Sequence, residues 1–249
     1  MRRRFFVDRF DSNSASLRGE TAEHLGRVLR AEPGQLYELS DGQRVWLARV
    51  ERVALSKRGD SRIEFALVEP LPAPAPGLQL DLLISLVKFD RFEWCLEKAT
   101  ELGATQIIPL SAARTDKPLI AAAAKRTARW ERIALESAQQ SRRLRPPEIR
   151  ALVSPENAFA QSSAACKIFL SERPEAPPLR EALRNFAERT LGNAATAALA
   201  IGPEGGWTDA EIASARAAGF AEASLGETIL RTETAVIASM AVLRFALGD

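Results

Sequence analysis

The chain of 249 residues is long enough for one large domain or two small ones. Its apolar share of 46% and charged share of 27% are ordinary for a globular protein and exclude disordered, collagen-like and coiled-coil proteins. The 34 basic and 32 acidic side chains leave a net charge of only +2, which excludes a strongly basic nucleic-acid-binding tail but not a local basic patch.

The first 70 residues have the pattern of a small β-barrel. Alternating apolar and polar residues predict three strands, at 35–39, 44–53 and 63–68. The dipeptide Asp41-Gly42 separates the first two strands and is a strong hairpin signal. A short helix is predicted over 22–30. Short strands joined by tight turns in so few residues favour a barrel.

A proline-rich segment follows and predicts a domain boundary. Residues 69–77 contain four prolines within eight positions. Such a run is incompatible with a helix interior or a central strand, and it favours a stiff, extended spacer. We therefore predict a first domain over 1–70, a linker over 71–77 and a second domain over 78–249.

The second domain alternates strands with helices, a pattern typical of an α/β fold with a parallel sheet. Strands are predicted at 80–87, 106–110, 167–170 and 196–201, and helices at 90–102, 118–143, 178–191, 209–218 and 233–247. The first strand is almost wholly apolar, as expected for a strand buried on both faces. The last helix is apolar on nearly every side, which predicts burial in a core or a subunit interface.

Basic residues are concentrated in two segments. Residues 114–150 carry 10 basic and 4 acidic side chains, and the first ten residues contain a second arginine cluster. Clustered arginine in a nearly neutral protein is typical of a polyanion-binding surface. The alternative is a solvated helix face, which the charges alone do not exclude.

The glycine-rich stretch Gly202-Pro203-Glu204-Gly205-Gly206 lies between a predicted strand and a predicted helix. Thr208 and Glu211 fit a capping box at the start of that helix. Glycine here lets backbone groups approach a ligand closely, although a tight turn without a ligand fits the spacing equally well. The stretch matches neither the dinucleotide-binding nor the P-loop pattern, so both sites are disfavoured.

Arg231 stands immediately before the apolar C-terminal helix. A positive charge at a helix N-terminus opposes the helix dipole and is unfavourable without another role. Arg231 therefore either serves an anion or forms an ion pair with Glu227 or Glu233.

The cysteine and histidine content limits which metal sites, disulfides and catalytic triads the chain can form. Cys95 and Cys166 cannot form a disulfide framework or a paired-cysteine zinc site. His24 is the only histidine, so histidine-ligated metals and Ser-His-Asp triads are not expected. The N-terminus lacks the apolar core of a signal peptide, and no run of 18 apolar residues occurs. We expect a cytoplasmic protein without a metal site.

Taken together, the motifs resemble the bacterial small-subunit ribosomal RNA methyltransferases that modify N3 of a uridine, within the SPOUT (trefoil-knot) class. The matching strings lie at 3–7, 24–30, 93–103, 107–110, 129–141, 201–206 and 229–235. They cover nearly the whole chain in order, and Gly-Pro-Glu-Gly-Gly followed by Leu-Arg-Thr-Glu-Thr-Ala is the most specific.

The resemblance implies an N-terminal PUA-like β-barrel that binds RNA and an α/β domain with a C-terminal knot, an exception to the rule that chains do not thread loops. It further implies that S-adenosylmethionine binds in the knot and that the C-terminal helix forms a homodimer. The implied cofactor-binding residues are Leu170, Ser171, Ile201, Gly202, Pro203, Gly205, Gly206, Leu225, Gly226, Ile229 and Leu230.

The implied reaction assigns roles to two charged residues. Uracil N3 must lose its proton to become nucleophilic, and Arg231 is expected to stabilise the resulting anion. Glu204 is expected to orient the base or to accept the proton. The implied partner is small-subunit ribosomal RNA, free or assembled, bound by Arg2, Arg3, Arg4, Arg9, Arg30, Arg129, Arg132, Arg142 and Arg143.

The sequence departs from this family at three places. Glu227-Thr228 stands where Pro-Arg is usual, Arg142 where glycine is common, and Trp207 where phenylalanine is usual. Two other functions stay open: a knotted methyltransferase acting on a ribose 2′-hydroxyl or another base, and a non-catalytic RNA-binding protein. The intact glycine loops argue against the second.

Overall fold

The computed structural model describes residues 3–56, 60–73, 77–187 and 196–248, which belong to two compact units. Unit 1 consists of Met1–Ala75 together with Ala138–Pro146, and unit 2 of Pro76–Ser137 with Pro147–Asp249. The sequence did not indicate that residues 138–146 pack with the N-terminal unit. Residues 74–76 of the predicted linker lie outside the described residues.

Unit 1 contains a five-stranded sheet with the order β1-β3-β4-β5-β2. The strands are β1 (Arg4–Phe6), β2 (Ser14–Arg18), β3 (Leu36–Ser40), β4 (Val45–Ala54) and β5 (Arg62–Leu71). β1 pairs with β3 in parallel, whereas the other neighbours are antiparallel. Apolar side chains on one face, including Phe5, Leu39 and Phe65, form the core of this unit.

Two predictions for unit 1 need correction. The predicted helix over 22–30 is a short α-helix, α1 (Gly19–Glu23), followed by a π-helical turn over His24–Val28. β5 extends to Leu71 instead of ending at residue 68 and includes Pro70, where only a central strand was excluded. Since β2 pairs only with the Arg62–Ala66 part of β5, Pro70 has a strand partner on one side only and needs no second hydrogen-bonded neighbour.

A buried ion-pair cluster stabilises unit 1. The carboxylate of Glu38 accepts hydrogen bonds from Arg4 Nε at 3.2 Å and Nη2 at 3.0 Å, and Arg142 Nη2 lies 2.7 Å from its other oxygen. Arg4 Nη1 also donates to the carbonyl of Arg142 at 2.7 Å. Arg4 is therefore a buried structural residue, which corrects its predicted contact with RNA phosphates.

Arg142 has a φ of +56°, a left-handed backbone conformation that glycine adopts most easily. This is the position where the resemblance leads one to expect glycine. At this position the Arg142 side chain reaches the Glu38 carboxylate, a contact that glycine could not make.

The other elements, in chain order, are β6 (Gln79–Ser85), α2 (Phe89–Glu101), β7 (Ala104–Leu110), α3 (Lys117–Ala123), α4 (Thr127–Gln140), β8 (Glu148–Ile149), α5 (Pro155–Gln161), β9 (Cys166–Leu170), α6 (Leu179–Ala187), β10 (Thr196–Ile201), α7 (Asp209–Ala217), β11 (Ala221–Ala223) and α8 (Thr232–Leu247). The strands form an all-parallel sheet in the order β11-β9-β10-β6-β7-β8. This confirms the predicted α/β class.

The sheet of unit 2 is buried on both faces. Along β6, Leu82 and Ile84 belong to one apolar cluster, whereas Leu83 belongs to a second cluster on the opposite face. Alternate residues of a strand point to opposite faces, so a strand with two covered faces must be apolar throughout. The predicted apolar strand over 80–87 is thus explained.

One prediction for the second domain is corrected, one extends beyond the described residues, and one helix was not predicted. The long helix predicted over 118–143 is α3, a 3₁₀ turn over Ala124–Arg126, and α4, which ends at Gln140. The helix predicted over 178–191 is described only to Ala187, and residues 188–195 lie outside the described residues. The sequence analysis also overlooked α5, although Ser154 caps it and Pro155 opens it.

The strand order brings three loops to one edge of the sheet. β11 follows β10 in the chain but pairs with β9, so the segments after β9, β10 and β11 leave the sheet side by side. The Ser171 N–H donates to the Ala223 carbonyl at 2.9 Å, which ties the first segment to the third. Ligands in parallel α/β sheets bind at the carboxyl ends of the strands, so this edge is where a site is expected.

Among the described residues, no helix has the length and apolar character needed to cross a bilayer. No cluster of three or more His, Cys, Asp or Glu side chains with metal-binding geometry occurs among them.

Candidate functional site

A cavity of about 600 Å³ lies in unit 2 at the carboxyl ends of β9 and β10 and beside the loop that follows β11. Its volume is in the range of small-molecule and cofactor sites. Ten of the eleven predicted cofactor residues line it, namely Leu170, Ser171, Ile201, Gly202, Pro203, Gly206, Leu225, Gly226, Ile229 and Leu230. Both predicted catalytic residues, Glu204 and Arg231, line it as well.

Gly205 is the exception among the predicted cofactor residues. It does not line the cavity, and the side chain of Arg114 lies against it instead. Arg114 itself lines the cavity and comes from the loop after β7, far away in the sequence.

The loop after β10 has a defined conformation. Gly206 has a φ of +71°, and its N–H donates to the Pro203 carbonyl at 2.8 Å to close a tight turn. Trp207 Nε1 donates to the Leu170 carbonyl at 2.9 Å, which joins this loop to the end of β9. The glycine stretch is therefore both a tight turn and a cavity wall.

The start of α7 is held by the predicted capping box. The Thr208 hydroxyl accepts the Glu211 N–H, and Glu211 Oε2 accepts the Thr208 N–H at 2.8 Å. The other oxygen of Glu211 accepts the N–H of Ala113 at 2.9 Å. Glu211 is only 1% exposed, so this carboxylate fixes the glycine loop and the Arg114 loop together.

The loop from Leu225 to Arg231 forms the third wall of the cavity. Gly226 has a φ of +125°, which only glycine adopts without strain. Ile229 also lines the cavity and is 79% exposed, so this wall presents an apolar side chain to solvent.

Arg231 precedes the first residue of α8 and is exposed at the cavity. Within the described residues, it has no carboxylate within ion-pair distance, neither Glu227 nor Glu233. The ion-pair alternative considered for Arg231 therefore has no support in the structure. Its guanidinium group is exposed at the cavity, where an anion could reach it.

Glu204 forms an ion pair with Arg91, in the first turn of α2. The two side chains are partly exposed, so the pair can open without uncovering a buried charge. Only Oε1 of Glu204 contacts Arg91 in this pair.

Two arginines that line the cavity were missed at the sequence level. Arg114 appeared only as part of the basic segment, and Arg173 follows the end of β9, where it forms an ion pair with Glu175. The position of Arg173 just beyond a strand end was a usable signal. Nothing local distinguished Arg114, because its place depends on Glu211, 97 positions away.

The predicted RNA-binding residues of unit 1 differ in exposure. Arg3, Arg9 and Arg30 are exposed, and Arg30 adopts a left-handed φ of +52°. Arg142 is engaged with Glu38, and Arg143 is partly buried. Arg2 lies outside the described residues.

The predicted RNA-binding residues of unit 2 lie on α4. Arg129 is exposed and donates to Glu93 at 2.7 Å, whereas Arg132 is exposed with Glu136 3.8 Å away. The Arg132–Glu136 pair is exposed on both sides and contributes little stability, whereas Glu93 is largely buried; both guanidinium groups remain exposed and accessible to phosphate.

The two cysteines are buried and free. Burial, with the nearby Glu233 carboxylate, raises the pKa of the Cys95 thiol to about 12, and burial raises the pKa of the Cys166 thiol to about 11. Because the thiolate is the reactive form, neither side chain is a nucleophile at neutral pH.

Comparisons with known proteins agree with one another. Residues 74–244 match the RNA methyltransferase domain family. A relative from Synechocystis, named ribosomal RNA small subunit methyltransferase E, is 34% identical over 228 residues, which are 90% of this chain and 70% of that relative. A protein of the same name from Bacillus subtilis is 27% identical, with 92% of this chain and 89% of the relative covered.

Solved structures match over the full length. The ribosomal RNA small subunit methyltransferase E from Neisseria gonorrhoeae, bound to S-adenosylmethionine, has a TM-score of 0.84 and 30% identity, covering 100% of this chain and 99% of that one. A putative methyltransferase from Legionella pneumophila, in complex with the same cofactor, has a TM-score of 0.82 and 29% identity, with the same coverage.

Proposed function

We propose that this chain, which belongs to the RNA methyltransferase domain family, methylates N3 of a uridine in small-subunit ribosomal RNA. The broader activity is S-adenosylmethionine-dependent methylation of small-subunit ribosomal RNA. The chain has the fold of such enzymes, a PUA-like barrel followed by a SPOUT domain. The cavity lined by Glu204 and Arg231 is the observation that carries the proposal.

The cavity fits S-adenosylmethionine in size and chemistry. Apolar side chains such as Ile201, Leu225 and Leu230 suit an adenine ring, and backbone groups beside Gly206 and Gly226 stay uncovered by side chains. When bound, S-adenosylmethionine supplies an electrophilic methyl group on a positively charged sulfur. The carboxylates of Glu204 and Glu227 at the cavity favour that positive charge.

Arg231 supplies the charge that the uracil needs. Neutral N3 is a poor nucleophile because its lone pair is delocalised into the imide, so the reacting form is the N3 anion. A guanidinium group is always protonated, and Arg231 is exposed at the cavity without an ion-pair partner among the described residues. Such a preorganised charge stabilises the anion as it forms.

Glu204 orients the target base. Its carboxylate lines the same cavity as Arg231 and can accept a hydrogen bond from the uracil N3–H. The ion pair with Arg91 holds the carboxylate at the wall of the cavity. If Glu204 is also the proton acceptor, the N3 proton passes to its carboxylate, whose Oε1 is held by Arg91, and the N3 anion then takes the methyl group.

The RNA partner is small-subunit ribosomal RNA. The exposed arginines of unit 1 (Arg3, Arg9 and Arg30) and of α4 (Arg129 and Arg132) are the phosphate contacts that we propose. N3 lies on the Watson–Crick edge, so the target uridine must be unpaired or extruded from a helix. Since ribosomal RNA is the proposed substrate, a cytoplasmic location is part of the proposal.

A homodimer through α8 is also part of the proposal. Val236, Met240 and Leu243 of α8 are buried within unit 2 itself. Phe245, in contrast, is 91% exposed, and Val242 is also exposed on α8. A second copy that covers this face would remove these apolar side chains from water.

Mass spectrometry of small-subunit ribosomal RNA from a strain lacking this gene tests the proposal. We expect one 3-methyluridine to disappear and to return when the intact gene is restored. A copy carrying Arg150→Ala is a suitable control, because Arg150 pairs with Glu148 at the surface and does not line the cavity. Loss of a 2′-O-methylated nucleoside instead would support the alternative target, and an unchanged spectrum would contradict both.

A further inference from the structure

The side chain of Arg114 lies flat against the glycine loop. A Cβ atom built on Gly205 would stand 3.3 Å from Arg114 Cβ and 3.4 Å from its Cδ. At the end of the same side chain, Nη1 donates to the Gly205 carbonyl at 2.7 Å and approaches the Trp207 carbonyl at 3.4 Å. One arginine therefore contacts the loop through both its alkyl chain and its guanidinium group.

The backbone that carries Arg114 is itself held in place. The N–H of the preceding residue, Ala113, donates to the buried carboxylate of Glu211 at 2.9 Å. The same carboxylate caps α7 through the N–H of Thr208, directly after the glycine loop. Arg114 thus reaches Gly205 from a fixed point, and its position is set before any ligand arrives.

These contacts leave little room for a side chain at residue 205. Gly205 does not line the cavity, and its φ lies outside the left-handed region, unlike that of Gly206. Neither a ligand contact nor a backbone requirement therefore accounts for it. The structure instead shows a tight contact with Arg114: a Cβ atom at residue 205 would lie 3.3 Å from Arg114 Cβ, so the Arg114 side chain or the loop would have to shift by a few tenths of an ångström.

We propose that Arg114 is a positioning residue for S-adenosylmethionine, acting through the carbonyl groups of Gly205 and Trp207. Its charged donor draws both carbonyls to one side of the loop, so that the cavity wall from Gly202 to Gly206 keeps one shape. This inference rests on the proposed function, because it requires the cavity to bind S-adenosylmethionine. A direct contact with an RNA phosphate is the competing role.

Calorimetric titration with S-adenosylmethionine separates these roles. Arg114→Met keeps most of the alkyl chain but removes every donor, and we expect it to raise the dissociation constant about tenfold. Arg114→Lys keeps a charged donor and should recover part of the affinity. Arg150→Ala is the control for loss of an exposed positive charge outside the cavity and should bind as the wild type does.

Kinetics and RNA binding provide the second readout. Because Arg114 acts through the cofactor loop, Arg114→Met should raise KM for S-adenosylmethionine while kcat at saturation stays near the wild-type value. RNA affinity and the melting temperature should change little. Weaker RNA binding with normal cofactor affinity would overturn the proposal in favour of a phosphate contact, and normal affinity for both would overturn it outright.

Gly205→Ala tests whether Gly205 and Arg114 act together on the affinity for S-adenosylmethionine. We expect it to raise the dissociation constant in the wild type and to raise it less when Arg114 is replaced by glycine, because the contacts with Arg114 Cβ at 3.3 Å and Cδ at 3.4 Å are then both gone. Additive effects would contradict the coupling. If the wild-type protein fails to bind S-adenosylmethionine, the proposed function falls together with this inference, whereas equal binding by wild type and Arg114→Met removes this inference alone.

Discussion

The indole ring of Trp207 lies directly on Gly202: a Cβ atom at residue 202 would stand 2.9 Å from the indole Cε2 and 3.0 Å from Nε1. The ring cannot move away freely, because Nε1 donates to the Leu170 carbonyl. Glycine at residue 202 is thus required by the tryptophan, and the two residues together shape one wall of the cavity.

Replacing Gly202 with alanine should therefore displace the indole ring. We expect a loss of about 1–3 kcal/mol in the free energy of unfolding, since an extra methyl group is forced into a packed site. Affinity for S-adenosylmethionine should fall as well. Chemical denaturation and calorimetry on the same sample measure both, and Gly77→Ala, at an open position, is the matched control. An unchanged stability would show that the loop adjusts without cost.

Arg231→Ala should slow methyl transfer by roughly 10²–10³, the usual cost of removing one preorganised charge at a reacting anion. Cofactor affinity and melting temperature should stay close to those of the wild type. Arg231→Lys should recover only part of the rate, because a point charge lacks the planar guanidinium group. Single-turnover rates at saturating S-adenosylmethionine provide the measurement. A wild-type rate for the alanine variant would remove Arg231 from the catalytic residues.

The double variant Arg129→Gln, Arg132→Gln should weaken RNA binding and leave cofactor binding intact. Glutamine removes two positive charges without placing a carboxylate beside Glu93. Each lost phosphate contact should lower the salt dependence of log K by about 0.7–0.9. Binding titrations at several salt concentrations report that slope, with Arg150→Gln as the control. An unchanged slope would mean that α4 does not contact phosphates.

Phe245→Glu should convert a dimer into a monomer, because it places a charge on the exposed apolar face of α8. Light scattering at micromolar concentration measures the change in mass. Val28→Glu, at an exposed apolar position in unit 1, should leave the dimer intact. A wild-type protein that is already monomeric would rule out this interface.

The buried thiols predict how stability depends on pH. Their pKa values are raised in the folded protein, to about 12 for Cys95 and about 11 for Cys166, so the unfolded chain loses these protons first as pH rises. The free energy of unfolding that this pKa difference contributes is present below about pH 9, the ordinary pKa of the unfolded thiols. It is lost progressively as the pH rises from there toward the folded values of about 11 and about 12. Urea unfolding at pH 8 and pH 10 should show this fall, and Cys95→Ala should make it smaller.

The same two thiols should resist alkylation at pH 8 in the native state and react fully in denaturant. Rapid labelling of the native protein would contradict their burial.

One wall of the cavity was predictable from local signals, whereas the walls formed by Leu170 and Ser171 and by the loop from Leu225 to Arg231 followed only from the family resemblance. A strand that runs into Gly202–Gly206 and then into a capped helix indicates a loop at a strand end, and the Thr208–Glu211 capping box is confirmed. The role of Arg114 was not predictable. It depends on contacts with Gly205 and Glu211, about 90 positions away, which no local pattern encodes.

The boundaries of the helices and domains were also partly mispredicted, because local sequence patterns do not record them. Nothing in the apolar pattern of 118–143 indicates the 3₁₀ turn at Ala124–Arg126. The packing of residues 138–146 with unit 1 depends on Glu38, which needs Arg142 as a second partner. A long-range ion pair of this kind has no sequence signature, whereas the strands of unit 1 do.

That arrangement has a consequence for the order of events during synthesis on the ribosome. Unit 1 is interrupted, because its last segment, Ala138–Pro146, is translated about 70 residues after Ala75. At a translation rate of ~5–20 residues per second, the last segment of unit 1 is synthesised roughly 4–14 s after the rest of the unit. Until then Glu38 has only Arg4 as a partner, so the nascent N-terminal part is incomplete while the first strands of unit 2 emerge.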